Sequence, residues 1–250
     1  MTAAIVKKPR RPYVGKKAND GRPLATVSSV ISETLGWSKN GLMIFAGEEG
    51  AREAIRLVEM GFSVEEAVQR ARFAHTKRRD AAGNAGKLAH AMAEYFLAGQ
   101  DPELAIDEFE DEETVAKARV CFDKFAKWWP TSGYRVRLTE HVMMDVITGF
   151  AGTCDYVLEH VATGDLVVAD LKTGKRAYDE TTIQLGGYSL LLAKDGIHVK
   201  RGLVIHCPFD GELDPIDVPE VMLVNAAGYF MHLLAVHRGR HNIKIEKPRE

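Results

Sequence analysis

Residues able to do chemistry together gather between Gly152 and Tyr188: Asp155, then Asp170-Leu-Lys172 closing an apolar run, then Gln184 and Tyr188. Two neighbouring carboxylates repel unless a cation lies between them, and hard oxygen ligands suit magnesium or manganese. Such an ion can take a phosphate oxygen and supply a nucleophile for in-line attack on phosphorus. Lys172 is placed to position water and to neutralise charge that builds on the phosphate. An Asp…Asp-x-Lys set taken alone also fits an ordinary surface salt-bridge cluster.

The elements that must position these groups come next. Ala162-Thr-Gly-Asp165 reads as a hairpin turn between strands over about 148–160 and 166–172. With Thr163-Gly164 as a two-residue turn, Asp155 lies opposite Lys172, and Asp170 is its diagonal neighbour on the same face. A register shift of two keeps that face, whereas a shift of one loses it. Leu166-Val-Val-Ala169 is apolar enough for a central strand, so Asp170 and Lys172 sit at its end. Glu140, on the strand before, is either a further ligand or a plain exposed acid.

The first half reads as helical. Helical spacing runs from Leu42 to Met60 with a stop at Gly61, and Ser63-Val-Glu-Glu66 is a capping box that opens another helix. A break is expected over 80–86. After it, Leu88, Met92 and Phe96 repeat at helical spacing with His90 on the flank. Pro102 begins an acidic helical stretch, and Val115–Trp129 forms a helix ended by Pro130. Then Tyr134, Val136 and Leu138 alternate as in a strand, Asp179–Lys194 returns to helix, and strands follow over Arg201–Cys207 and Leu213–Val218. A helix over Glu220–His237 closes the chain. The fold class is therefore α/β (α+β), a mixed central sheet flanked by helices with a helical N-terminal half. The expected division is a flexible basic arm over 1–22 and one domain over 23–250: helical over 23–130, sheet core over 131–218 and closing helix over 219–238.

Composition limits the function classes. With 250 residues and 46% hydrophobic content, the chain can bury a full core. No apolar run approaches the roughly 20 residues of a bilayer span, and the basic, polar N-terminus is unlike a secretory signal, so a cytoplasmic protein is expected. Three scattered cysteines, Cys121, Cys154 and Cys207, suit neither a disulfide framework nor a metal-cysteine cluster. The formal charge of −2 favours no partner, but basic residues cluster in Lys7–Arg22, Lys77–Arg79 and Arg238–Arg249, each a solvated face or a polyanion contact. Gly83-Asn-Ala-Gly-Lys-Leu lacks the spacing and hydroxyl of a phosphate-binding P-loop.

Asp155 with Asp170-Leu-Lys172 resembles the catalytic core of the PD-(D/E)XK nuclease superfamily. The surroundings resemble its RecB-type branch: Gly86-Lys-Leu-Ala-His90 is similar to the GxxxH helix, Gly152-Thr-Cys-Asp155 to the GxxD strand, and Gln184-Leu-Gly-Gly-Tyr188 to the QxxxY helix. The segment ATVSSVISETLGW is similar to phage-encoded members. The resemblance implies a restriction-endonuclease-like sheet and a Mg2+ or Mn2+ site of His90, Asp155, Asp170 and a backbone carbonyl near Leu171. It implies that Lys172 is catalytic, and that Gln184 and Tyr188 face substrate or support the centre. Without a suitable cysteine set, no iron–sulfur cluster is expected. The implied activity is that of a DNA exonuclease in recombination or repair, acting on ended duplex or single strands, with a strand-annealing protein as a candidate partner. The rivals are a structure-specific endonuclease of the same fold and a non-cutting DNA-binding subunit; an intact Asp155, Asp170 and Lys172 speaks against the latter.

Four further residues are candidates for phosphate contact: Ser28, Ser29, Lys175 and Arg176. The serines equally suit a helix cap. Gln184 follows Thr181 at capping-box spacing, and Tyr188 one turn later suits core packing. Gly186 and Gly187 inside that helix call for a close backbone approach, since each costs about 1 kcal/mol relative to Ala.

Overall fold

The computed structural model describes residues 12–35, 38–108, 111–177 and 179–242. Lys7, Lys8, Arg10, Arg11, the side chain of Lys77 and the basic residues after 242 lie outside that description. The first strand is the two-residue β1 (Ala25–Thr26), which runs straight into helix α1 (Val27–Thr34). Thr26 Oγ1 accepts from the Ser29 N–H at 2.9 Å and Ser29 Oγ accepts from the Thr26 N–H at 3.0 Å, a reciprocal cap.

Helix α2 (Ser38–Glu59) ends before Gly61, whose φ of 94° only glycine adopts freely. The predicted capping box of Ser63 and Glu66 opens α3 (Val64–Ala71). Helix α4 (Ala74–Leu97) runs unbroken through 80–86, contrary to the expected break. Ala81, Ala82 and Ala85 carry it past Gly83 and Gly86, and Ala85, Leu88, Ala89 and Met92 are buried. A 3₁₀ turn over Pro102–Glu108 leads to α5 (Glu112–Trp128), capped by Asp111.

The second half supplies β2 (Tyr134–Asp145), β3 (Phe150–His160), β4 (Leu166–Lys172), α6 (Asp179–Lys194), β5 (Arg201–His206), β6 (Asp214–Val218) and α7 (Glu220–Asn242). Together with β1, these strands form a mixed six-stranded sheet. Helices α1, α6 and α7 pack on one face; α4 and α5 pack on the other. This is the α+β arrangement expected from the sequence, a mixed central sheet flanked by helices.

Strand β3 is the spine. One edge pairs with β2 along its length, while the other is shared by β1, parallel at Phe150–Ala151, and β4, antiparallel at Tyr156–Glu159. Gly152 to Asp155 pair with neither β1 nor β4, which leaves a notch in that edge. β5 adds parallel to β4, and β6 antiparallel to β5.

The β3–β4 connection differs from the two-residue turn. His160 donates its N–H to the Asp165 carbonyl at 2.9 Å, and the loop is the four residues Val161–Gly164. Gly164 takes φ 74° and returns its N–H to the His160 carbonyl at 2.8 Å. The register is shifted by two, so that continued one step beyond Tyr156–Ala169 it sets Asp155 opposite Asp170 instead of Lys172.

Candidate metal centre

The notch is where two strands change sides. Cys154 and Val157, three residues apart, pack with α6 and α7, while Tyr156 and Leu158 pack with α4 and α5. The alternation of β3 is therefore interrupted at Asp155. Across from it, Glu140 of β2 has φ 45°, a conformation that costs a non-glycine residue on the order of 1–3 kcal/mol. Thr139 pairs with Tyr156 and His141 with Cys154, so Glu140 stands beside Asp155. Irregularities of this kind re-aim side chains, and here they fall on two carboxylates.

Helix α4 brings the third group. A Cβ on Gly86 would lie 2.8 Å from Thr173 Oγ1, so glycine lets the helix approach the end of β4. One turn later His90 Nδ1 lies 3.3 Å from Asp155 Oδ2. That oxygen also accepts from the Leu171 N–H at 2.9 Å, fixing the carboxylate across the mouth of the notch. Ligand atoms of His90, Glu140 and Asp155 all lie within 4.8 Å of one another, and all three side chains are partly buried. One imidazole nitrogen and two carboxylates form a donor set that fits a divalent cation.

Asp170 stands differently from the expected ligand set. It is 1% exposed, and its Oδ2 lies 2.6 Å from Lys172 Nζ. Burial raises its pKa to about 6, against the pull of the Lys172 ammonium and with a push from Asp155. Burial alone would lower the Lys172 pKa, but Asp170 and Asp155 outweigh it and raise it, so the ammonium is held charged. Lys172 Nζ donates to Gln184 Oε1 at 3.2 Å, and Gln184 Nε2 donates to the Tyr188 hydroxyl at 2.8 Å. Gln184 thus supports the lysine instead of capping with Thr181.

Tyr188 is buried in the core and closes the notch from the α6 side. Its ring passes where a Cβ on Gly152 would be, 2.7 Å from Cε1, which accounts for glycine three residues before Asp155. Burial first, then Asp170 and Asp155, push the phenol pKa well above its ordinary value, so it stays a neutral donor and acceptor.

A cleft of about 410 Å³ opens beside the lysine, lined in part by Ser28, Ser32, Lys172, Arg176 and Gln184. Ser28 is exposed on it, whereas Ser29 spends its hydroxyl in the cap with Thr26 and the Thr26 carbonyl. Lys175 is exposed on the bend after β4. The structure therefore gathers His90, Asp155, Asp170, Lys172, Gln184 and Tyr188, adds Glu140 to the two-ligand core, and commits Ser29 elsewhere. The deciding signal for Glu140 was the β2–β3 register, which depends on a bulge between Val136 and Leu138 that no residue pattern announces.

No family model matches the chain, and no curated protein matches it. Among solved structures it is similar to the "Putative exonuclease" from Eubacterium rectale, with 12% identity, a TM-score of 0.44, and coverage of 66% of this chain and 77% of that one. It is also similar to the protein SSO0001, with 14% identity, a TM-score of 0.30, and coverage of 60% and 74%.

Proposed function

We propose that this protein is a divalent-metal-dependent nuclease that hydrolyses phosphodiester bonds in DNA, an exonuclease of RecB type serving recombination or repair, and phage-encoded. The observation that carries the reading is the meeting of His90, Glu140 and Asp155 from three separate elements, with the Lys172 ammonium anchored one strand away. A surface salt-bridge cluster does not require a left-handed glutamate, a glycine-enabled helix approach and a buried aspartate at one point.

His90, Glu140 and Asp155 would hold Mg2+ or Mn2+, with Asp170 and a carbonyl near Leu171 available on β4. The bound ion supplies Lewis acidity toward the phosphate and a water acidic enough to act near neutral pH. Lys172 would orient an attacking water and offset the charge that develops on the phosphate. Asp170 keeps Lys172 charged, and Gln184, braced by Tyr188, fixes the direction of its ammonium. Ser28, Lys175 and Arg176 would contact phosphates along the strand, so that binding weakens steeply with salt.

Linear, nicked, circular and single-stranded DNA, incubated with Mg2+ or Mn2+ and with chelator, test the proposal against Lys172→Ala. Metal-dependent degradation restricted to ended DNA by the wild type, lost in the variant, is expected. Cutting of circles would mark an endonuclease. The absence of any metal-dependent cutting, or equal cutting by the variant, would overturn the reading.

A further inference from the structure

Tyr156 is 1% exposed, and its hydroxyl has no hydrogen-bond partner among the described residues. Buried hydroxyls are nearly always bonded, because stripping one of water without replacement is costly. The ring is held firmly: it stacks on Phe125 at 6.3 Å, with planes 18° apart, and the strand pairs with Thr139 on one side and Ala169 on the other. Phenylalanine would fill the same space without the penalty.

The position of that hydroxyl is informative. Tyr156 directly follows Asp155, its cross-strand partners are the residues next to Glu140 and next to Asp170, and it points to the α4 side, from which His90 arrives. The anionic groups acting on it are Asp155, Glu94, Glu140 and Asp170; with burial as the larger cause, they push its pKa well above the ordinary value. Glu94 lies one turn beyond His90 on α4. The hydroxyl is thus a buried donor on the His90 side of the sheet, next in sequence to Asp155 and between the strands that carry Glu140 and Asp170.

We propose that Tyr156 is a positioning residue of the ion site: its hydroxyl donates to the carboxylates that gather on a divalent ion held by His90, Glu140 and Asp155, and thereby sets the site's affinity. The inference rests on the metal-centre reading above. The donor holds a carboxylate in its ligating orientation, as outer partners of metal ligands generally do, and such partners are worth roughly 10–100-fold in metal affinity.

Tyr156→Phe separates this role from a packing role. The full-length variant and the wild type are titrated with Mn2+, free ion being read by electron paramagnetic resonance, and both are melted with and without Mn2+. The expected result is a metal-free melting temperature equal to or up to about 2–4 °C above wild type, since an unsatisfied hydroxyl is removed, together with a Mn2+ dissociation constant raised about 10–100-fold. Tyr156→Trp, which restores a donor but not the shape, should not rescue the affinity. Equal Mn2+ affinity in Tyr156→Phe and wild type would overturn the role of Tyr156 and leave the ion site standing. If wild type bound no Mn2+, or bound it equally after Glu140→Gln and His90→Ala together, the site itself would fall.

Discussion

Asp170 should make the metal-free protein lose stability as pH rises. Its carboxyl is buried and titrates near 6 in the folded chain, against 3.8 for an ordinary aspartate. A raised folded pKa means that the native state holds its proton longer than the unfolded state. The associated stability is fully present below pH 3.8 and is lost as pH climbs through 6. Two pH units correspond to about 3 kcal/mol in all, of which about half falls between pH 5 and pH 8. Urea unfolding in chelator at those two pH values reads the loss directly. Asp170→Asn should remove this part of the slope. Absolute stabilities are a poorer measure, because asparagine also leaves Lys172 without its carboxylate, so the comparison is of slopes. Millimolar Mn2+ should flatten the wild-type slope, since a nearby cation favours the ionised form. Parallel pH curves for the two proteins in chelator would refute the argument that burial of Asp170 carries the effect.

Four other outcomes follow from the geometry. Lys172→Ala should lower kcat for DNA cleavage by about 100-fold or more while changing Mn2+ affinity little, as single-turnover kinetics and titration will show. Gln184→Ala, which unties the ammonium from Tyr188, should cost roughly 10-fold in the same assay, and Tyr188→Phe less. In Gly186→Ala the new Cβ would meet the Ala226 carbonyl carbon and the Ala227 nitrogen, each at 2.5 Å; α6 and α7 must separate, with a loss of about 1–3 kcal/mol or more in thermal unfolding. Gly152→Ala should displace the Tyr188 ring, which near-ultraviolet circular dichroism will register alongside reduced cleavage.

Much of the fold was legible because the hydrophobic period switches cleanly from helical to alternating after Pro130, and because most helices carry visible starts or stops. Leu166–Lys172 and Asp179–Lys194 were read with the boundaries that the structure has. The errors have physical causes. Gly83 and Gly86 look like a break, but neighbouring alanines and burial of Leu88 and Met92 carry the helix through. The loop Val161–Gly164 looks like a two-residue turn, because Thr-Gly suits either form, and hydrogen bonds to His160 select the longer one. At the site, spacing indicated Asp155, Asp170 and Lys172, but the choice between Glu140 and Asp170 beside His90 depends on how two strands bulge together. Tyr156 carried no sequence signal at all, since its oddity is the absence of a bond. The two-residue β1 was equally unreadable, being defined only by its pairing with β3.

Helix α4 is continuous in its hydrogen bonding but divided in its mechanics. From Ala85 onward it is clamped between α5 and the sheet; before that it projects, with exposed side chains, and meets α2 through Glu49, which binds both Arg78 and Arg52 at 2.7 Å. Gly83, in the projecting part, has no neighbour within 4 Å of its missing side chain. Gly83 lies seven residues before His90 on the same helix, about 10 Å at roughly 1.5 Å of rise per residue. Of the two glycines that obscured the helix in the sequence, Gly83 faces open space, whereas Gly86 lets the helix seat against Thr173 one turn before His90.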